Sequence, residues 1–94
     1  MKQVKQLCVE NGALLVFDEV ITGFRLANGG AQEYYGVVPD LACLGKAMGN
    51  GMPISAVVGR SEVMMKCEEV FFSGTFGGET LSLAACAAVL NEFN

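Results

Sequence analysis

The short apolar run Leu41-Ala42-Cys43-Leu44 stops at Gly45 and a lone lysine, Lys46, and a Gly-x-Gly loop, Gly49-Asn50-Gly51, follows at once. Four residues suit a buried strand and are too few for a typical helix. Pro39, just ahead of the run, bars a helix from entering it. Such a strand delivers an amine to its carboxyl end, the edge at which open α/β sheets collect their ligands. Alone, Lys46 would read as a solvated strand-end cation. A second run upstream changes that reading. Ala13-Leu14-Leu15-Val16-Phe17 is apolar without alternation, as in a strand covered on both faces, and it ends in Asp18 and Glu19. A carboxylate there is costly unless paired or wet. Asp18 and Lys46 are 28 residues apart, room for a turn, a helix and a second parallel strand.

Around these two strands the chain reads in order. Residues 2 to 11 form the tail of a helix with Val4, Leu7 and Cys8 on one face, stopped by Gly12. Asn28-Gly29-Gly30 marks a turn. Ala31 to Tyr35 makes a short helix ended by Gly36. Residues 54 to 59 read as a third strand, with Pro53 at its start. Ser61 is positioned to cap a helix to about Glu69, with Val63, Met64 and Cys67 as its apolar face. Val70-Phe71-Phe72 is a short extended piece. Residues 79 to 93 give the clearest helix, with Leu81, Ala84, Ala85, Ala88 and Val89 on one face.

Composition removes several classes of function. A net charge of -4, with six scattered basic residues, argues against a nucleic-acid surface. No apolar run is long enough to span a membrane. The amino terminus begins like a signal peptide, but Glu10, Asn11 and Gly12 interrupt it, so the expected compartment is the cytoplasm. Without any histidine, and with Cys8, Cys43, Cys67 and Cys86 in no Cys-x-x-Cys pair, a zinc site or a cysteine–histidine catalytic pair is not expected. The cysteines read as reduced. Strands apolar on both faces need more cover than 94 residues supply, so the chain is expected to be part of something larger or to hide its sheet against a partner.

The glycine loop after Lys46 is not a nucleotide loop. A P-loop would need glycine at Asp40 and a hydroxyl at Ala47, and a dinucleotide fingerprint would need glycine at Ile54. Ser73-Gly74-Thr75-Phe76-Gly77-Gly78, ahead of the long helix, fits an anion better, through backbone N–H groups and two hydroxyls. The plain alternative is a helix capped by Thr75 or Thr80. Together, Asp18, Lys46 and this loop supply an acid, an amine and a phosphate cradle. Pyridoxal phosphate needs those three: a lysine for its aldehyde, a carboxylate for its ring nitrogen, and donors for its phosphate.

Four stretches carry a family resemblance: Phe17 to Arg25, Pro39 to Lys46, Gly49 to Ile54, and Gly74 to Gly78. In combination they resemble the class III aminotransferases of the fold type I pyridoxal-phosphate enzymes, and Gly29 to Val37 points toward the aminomutases among them. The resemblance implies an α/β fold, part of a three-layer αβα large domain with a mostly parallel sheet. Residues 1–94 would be the partial cofactor-binding large domain, with its upstream part and the C-terminal small domain absent. By the same resemblance Lys46 would be the catalytic lysine that bonds the cofactor, Asp18 would pair with the pyridine nitrogen, and Val20 would pack on the ring. Thr75 would bind the phosphate from the neighbouring subunit of a homodimer, with Phe71, Phe72 and Phe76 as candidate interface anchors. Glu19 and Arg25 match the motif but read as structural. The implied reaction moves an amino group on a small amino or keto substrate, as a transaminase or an aminomutase does. The 94 residues alone would be inactive, or a silent fragment or accessory binding domain that keeps the signature.

Overall fold

The computed structural model describes residues 1–71 and 73–93. Helix α1 spans Lys2–Glu10. It ends where the sequence places its stop: Gly12 takes a φ of 62°, its N–H donates to Val9 O, and Ala13 N–H donates to Cys8 O at 2.8 Å. These are the two bonds of a Schellman motif, which glycine accommodates without strain. Strand β1 covers Val16–Glu19, α2 covers Gly30–Tyr35 and β2 covers Leu41–Leu44. Gly36 closes α2 at a φ of 59°. A single 3₁₀ turn, Lys46–Met48, follows β2. Then come β3, Ala56–Gly59, α3, Ser61–Met64, a second 3₁₀ turn over Met65–Glu68, and α4, Thr80–Glu92.

The sheet order is β1-β2-β3. β1 and β2 are parallel, with Asp18 opposite Cys43 and Glu19 opposite Leu44. β3 runs antiparallel to β2, with Gly59 opposite Leu41. The α/β class stands, and this three-stranded portion of the sheet is mixed, one parallel pairing and one antiparallel.

The core lies on one face. Leu15, Phe17, Val37 and Ala42 form it, with Cys8 packed against them. β1 differs from expectation in two ways. It starts later and runs through both acids, and it alternates: Leu15, Phe17 and Glu19 are buried, while Leu14 and Val16 are about half exposed. Among the described residues no element buries Leu14 and Val16, so an apolar run suited to burial on both sides is buried on one. Of the α1 face, Cys8 alone meets the core; Val4 and Leu7 are exposed.

Two helices also depart from the sequence reading. Ser61 does not cap α3. The capping position falls on Arg60, whose side chain makes no capping bond, and the helix passes into 3₁₀ geometry after four residues. α4 turns Ser82, Ala85, Cys86 and Val89 toward the body of the chain, while Leu81, Ala84 and Ala88 are exposed. The expected extended piece at Val70–Phe72 is no strand over Val70 and Phe71, and Phe72 lies outside the described residues.

One buried acid ties the elements together. Asp40 is 3% exposed. Its carboxylate accepts from Leu15 N–H at 2.8 Å, and pairs with Lys5 of α1 at 2.8 Å and Arg60 beyond β3 at 3.1 Å. Its backbone N–H donates to Leu15 O at 2.8 Å, and its carbonyl accepts from Arg60 N–H at 3.0 Å. Those bonds fix the amino end of β2 against both neighbours.

Candidate active site

The carboxyl ends of β1 and β2 carry the candidate residues Asp18 and Lys46. With Asp40 pinning one end of a four-residue strand, Lys46 emerges just past the other. Gly45 is extended, and Lys46 turns the chain at a φ of 42°. The loop beyond is tight. Asn50 N–H returns to Lys46 O at 3.0 Å and Met52 N–H to Gly49 O at 3.0 Å, and Met48 is buried as the anchor. A Cβ on Gly49 would sit 2.5 Å from Ile54 Cγ2 and 2.6 Å from the Met52 backbone oxygen, so the turn favours glycine there. Lys46 is exposed and has no ion-pair partner among the described residues, unlike Lys5, Arg60 and Lys66.

Asp18 is the exposed member of the pair of acids. Its Oδ1 accepts from Val20 N–H at 3.1 Å, a local turn that aims the carboxylate off the strand end. Val20, half-buried, lies against the start of the lysine loop: a Cβ on Gly45 would meet Val20 Cγ1 at 3.5 Å and Ser55 Cβ at 3.8 Å. Asp18, Val20 and Lys46 are thus carried by adjacent parallel strands, with Val20 bridging toward the lysine. They do not share one hollow. Asp18 lines a recess with Val16, Phe17, Thr22 and Tyr35. Lys46 lines a cleft of about 390 Å³ with Ile21, Arg25, Ala47, Asn50 and Gly51.

Thr75 stands apart. It lines a third cavity, of about 340 Å³, with Ile54, Ser55, Phe76, Glu79 and Ser82. Neither Thr75 nor Thr80 caps α4. Glu79 does, accepting from Leu81 N–H at 2.8 Å and Ser82 N–H at 2.7 Å, and from Ser82 Oγ. The side chain and backbone of Ser82, with Leu81 N–H, hold the Glu79 carboxyl below its usual range. This corrects the expected anion cradle: the first N–H groups of α4 are occupied by the chain's own carboxylate. Thr75 remains as a candidate phosphate donor, while the Gly77 N–H already donates to Gly74 O at 3.0 Å.

Glu19 is structural, as the sequence suggested, but its partners were not legible there. It is 1% exposed and reaches across to α2, accepting from Ala31 N–H at 2.5 Å and Gln32 N–H at 3.2 Å and from Thr22 Oγ1 at 3.0 Å. Burial pushes its carboxyl up, but these bonds, Ala31 N–H first, outweigh it and hold it below the usual value. Glu19 is therefore the cap of α2, supplied from the strand next door. Gly30, at a φ of 70°, is required twice over, since a Cβ there would collide with the Glu19 carboxylate. The Asn-Gly-Gly turn signal hinted at the backbone; nothing local hinted at the partner.

A lysine without an ion-pair partner among the described residues, at a strand end, and an exposed carboxylate on the neighbouring parallel strand suit the aldehyde and ring nitrogen of pyridoxal phosphate, while Thr75 lines a separate cavity. The comparison with known proteins agrees with that chemistry. The family model "Aminotransferase class-III" matches residues 1–94. The chain belongs to the class III aminotransferase family. It is 52% identical to the glutamate-1-semialdehyde 2,1-aminomutase of Syntrophobacter fumaroxidans over 97% of its own length and 22% of that protein's. Against the enzyme of the same description from Methanocaldococcus jannaschii it is 51% identical, with the same coverage. An ω-transaminase structure from Sphaerobacter thermophilus superposes with a TM-score of 0.91 at 31% identity, over 99% of this chain and 22% of that one. The FumI protein of Sphingopyxis sp. MTA144, solved with pyridoxal phosphate, superposes at 0.90 with 36% identity, over 98% and 22%. The chain thus spans a little over a fifth of the length of these proteins. Class III aminotransferases use pyridoxal phosphate.

Proposed function

We propose that these residues are the lysine-bearing segment of the large domain of a pyridoxal-phosphate enzyme that moves amino groups, similar to glutamate-1-semialdehyde 2,1-aminomutase. The observation that carries this is the placement of Lys46: an amine with no ion-pair partner among the described residues, at the end of β2, beside the strand that presents Asp18 and Val20. When bound, the cofactor supplies an electron sink for the bonds around the substrate's amino carbon. Lys46 holds the cofactor and afterwards takes and returns a proton at the substrate carbon as general base and acid. Asp18 keeps a proton on the ring nitrogen. Val20 orients the ring, and Thr75 donates to the phosphate.

Thr75 and Lys46 line different cavities of one chain. A homodimer in which Thr75 serves the partner's lysine accounts for that separation, and the exposed Phe71 and Phe76 fit its interface. The isolated 94 residues, with Leu14, Val16, Leu81 and Leu83 all about half exposed or more, are proposed to be inactive without the remaining domain. The test is the visible absorption of the full-length protein with pyridoxal phosphate. It is expected to appear in the wild type and to vanish in Lys46→Ala; an unchanged spectrum in that variant would refute the assignment.

A further inference from the structure

The turn after β1 is held from far along the chain, by a residue that the proposed reaction does not use. Phe24 takes a φ of 62°. Bulky side chains rarely adopt that left-handed backbone, and it persists where the surroundings hold it. Two contacts hold it here. The ring of Phe24 stacks on that of Phe93, with centroids 5.6 Å apart and planes inclined by 22°. Farther along, Asn28 Nδ2 donates to Phe93 O at 3.0 Å. Phe93 closes α4. The other side of the turn is tied separately: Gly23 N–H donates to Glu19 O at 2.9 Å, and Arg25 and Leu26 N–H donate to Thr22 O at 3.1 and 3.3 Å. The turn therefore lies fixed between β1 and the end of α4. It carries Ile21 and Arg25, which wall the cleft of about 390 Å³ that Lys46 lines. α4 also packs on the 3₁₀ turn Lys46–Met48. One helix thus supports two walls of the cleft, one along its body and one at its C-terminal end.

We propose that Phe93 is a positioning residue for the lysine cleft: through its stack on Phe24 it holds the Ile21–Leu26 turn in place as one wall. The Asn28 bond is made to the Phe93 backbone and survives loss of the ring, so the ring can be removed without cutting that tie. A wall in place for only a fraction of the time leaves the cleft open for the remainder. An aromatic pair shifts such an equilibrium by about two- to tenfold. That the wall bounds a reactive site rests on the reading of Lys46 as the lysine that holds the cofactor; the clamp itself does not.

The test joins two measurements on the full-length protein. One is amide hydrogen exchange over residues 21–28, read by mass spectrometry. The other is the rate at which methoxyamine, a small nucleophile that has to enter the cleft, strips pyridoxal phosphate from Lys46. Phe93→Ala should raise both by about two- to tenfold, with exchange in α1 and β2 unchanged. Phe93→Tyr, which keeps the stack, should match wild type. Phe24→Ala should loosen the turn as Phe93→Ala does, and the double variant no further, because the two side chains share one contact. Exchange over the turn that does not respond to Phe93→Ala would overturn the clamp. Exchange that rises equally throughout the protein would make Phe93 a contributor to stability alone and overturn its positioning role. So would faster exchange in the turn with unchanged cofactor release. A wild type with no cofactor on Lys46 would instead refute the reading of that lysine, while a turn loosened by Phe93→Ala would still support Phe93 as the residue that holds it.

Discussion

Adjacent acids in β1 have opposite fates because strand side chains alternate between faces. Asp18 faces out, its carboxylate accepting from Val20 N–H in its own turn, and is exposed to solvent. Glu19 faces in and is consumed by α2. The sequence shows two carboxylates side by side and gives no way to rank them without the family resemblance, because the helix N–H partners of Glu19 lie 12 and 13 residues on. Replacement should separate the roles. Asp18→Ala is expected to retain part of the cofactor and lose about a hundredfold or more in turnover, as an electrostatic group is removed from the reacting ring. Near-normal turnover would make Asp18 a plain strand-end acid. Glu19→Gln should instead lower stability by about 1–2 kcal/mol, through weakened bonds to the α2 N–H groups, and Gly30→Ala should cost at least as much. Thermal melts of both variants, with turnover per folded molecule unchanged, would check this.

At the scale of elements, what the sequence shows is what is locally encoded. β2, α2 and the glycine stops at Gly12 and Gly36 were all legible, because a short apolar run and a left-handed cap are properties of a few neighbouring residues. The boundary of β1 was not, since ladder pairing with β2 carries the strand through its polar end. Nor was the inner face of α4. That helix is apolar on nearly every side, so periodicity could not select the stripe containing Ser82 and Cys86. Asp40 was visible only as a motif letter; its work is done by Lys5, Leu15 and Arg60, from three other parts of the chain. Lys5 first, then Leu15 N–H and Arg60, hold its carboxyl far below the usual range. A carboxyl depressed on folding stabilises fully above its unfolded pKa, near 4, and progressively less as pH falls toward the folded value. The stability gap between wild type and Asp40→Asn should therefore be widest near neutral pH and narrow below about pH 4. Denaturant melts at a series of pH values would show it, and a gap that stays constant would contradict the role.

For the whole molecule, the open apolar surface and the separated cavities support the proposal that other protein completes this piece. Among the described residues, Leu14 and Val16 on the sheet, Leu81 on α4 and Phe71 at 96% exposure are left uncovered. If the neighbour's Thr75 completes each site, Thr75→Ala and Lys46→Ala subunits should each be inactive alone. Their mixed dimers should regain about half of the wild-type activity per dimer, because one site then carries both defects and the other neither. Verified mixed dimers that stay inactive would count against a shared site.

The most direct test of the account is chemical. The full-length protein, loaded with pyridoxal phosphate and reduced with borohydride, should be digested and mapped by mass spectrometry. The account predicts one modified peptide, with the cofactor's mass on Lys46 between Gly45 and Ala47. Modification at another lysine, or none on a protein that binds the cofactor, would contradict it.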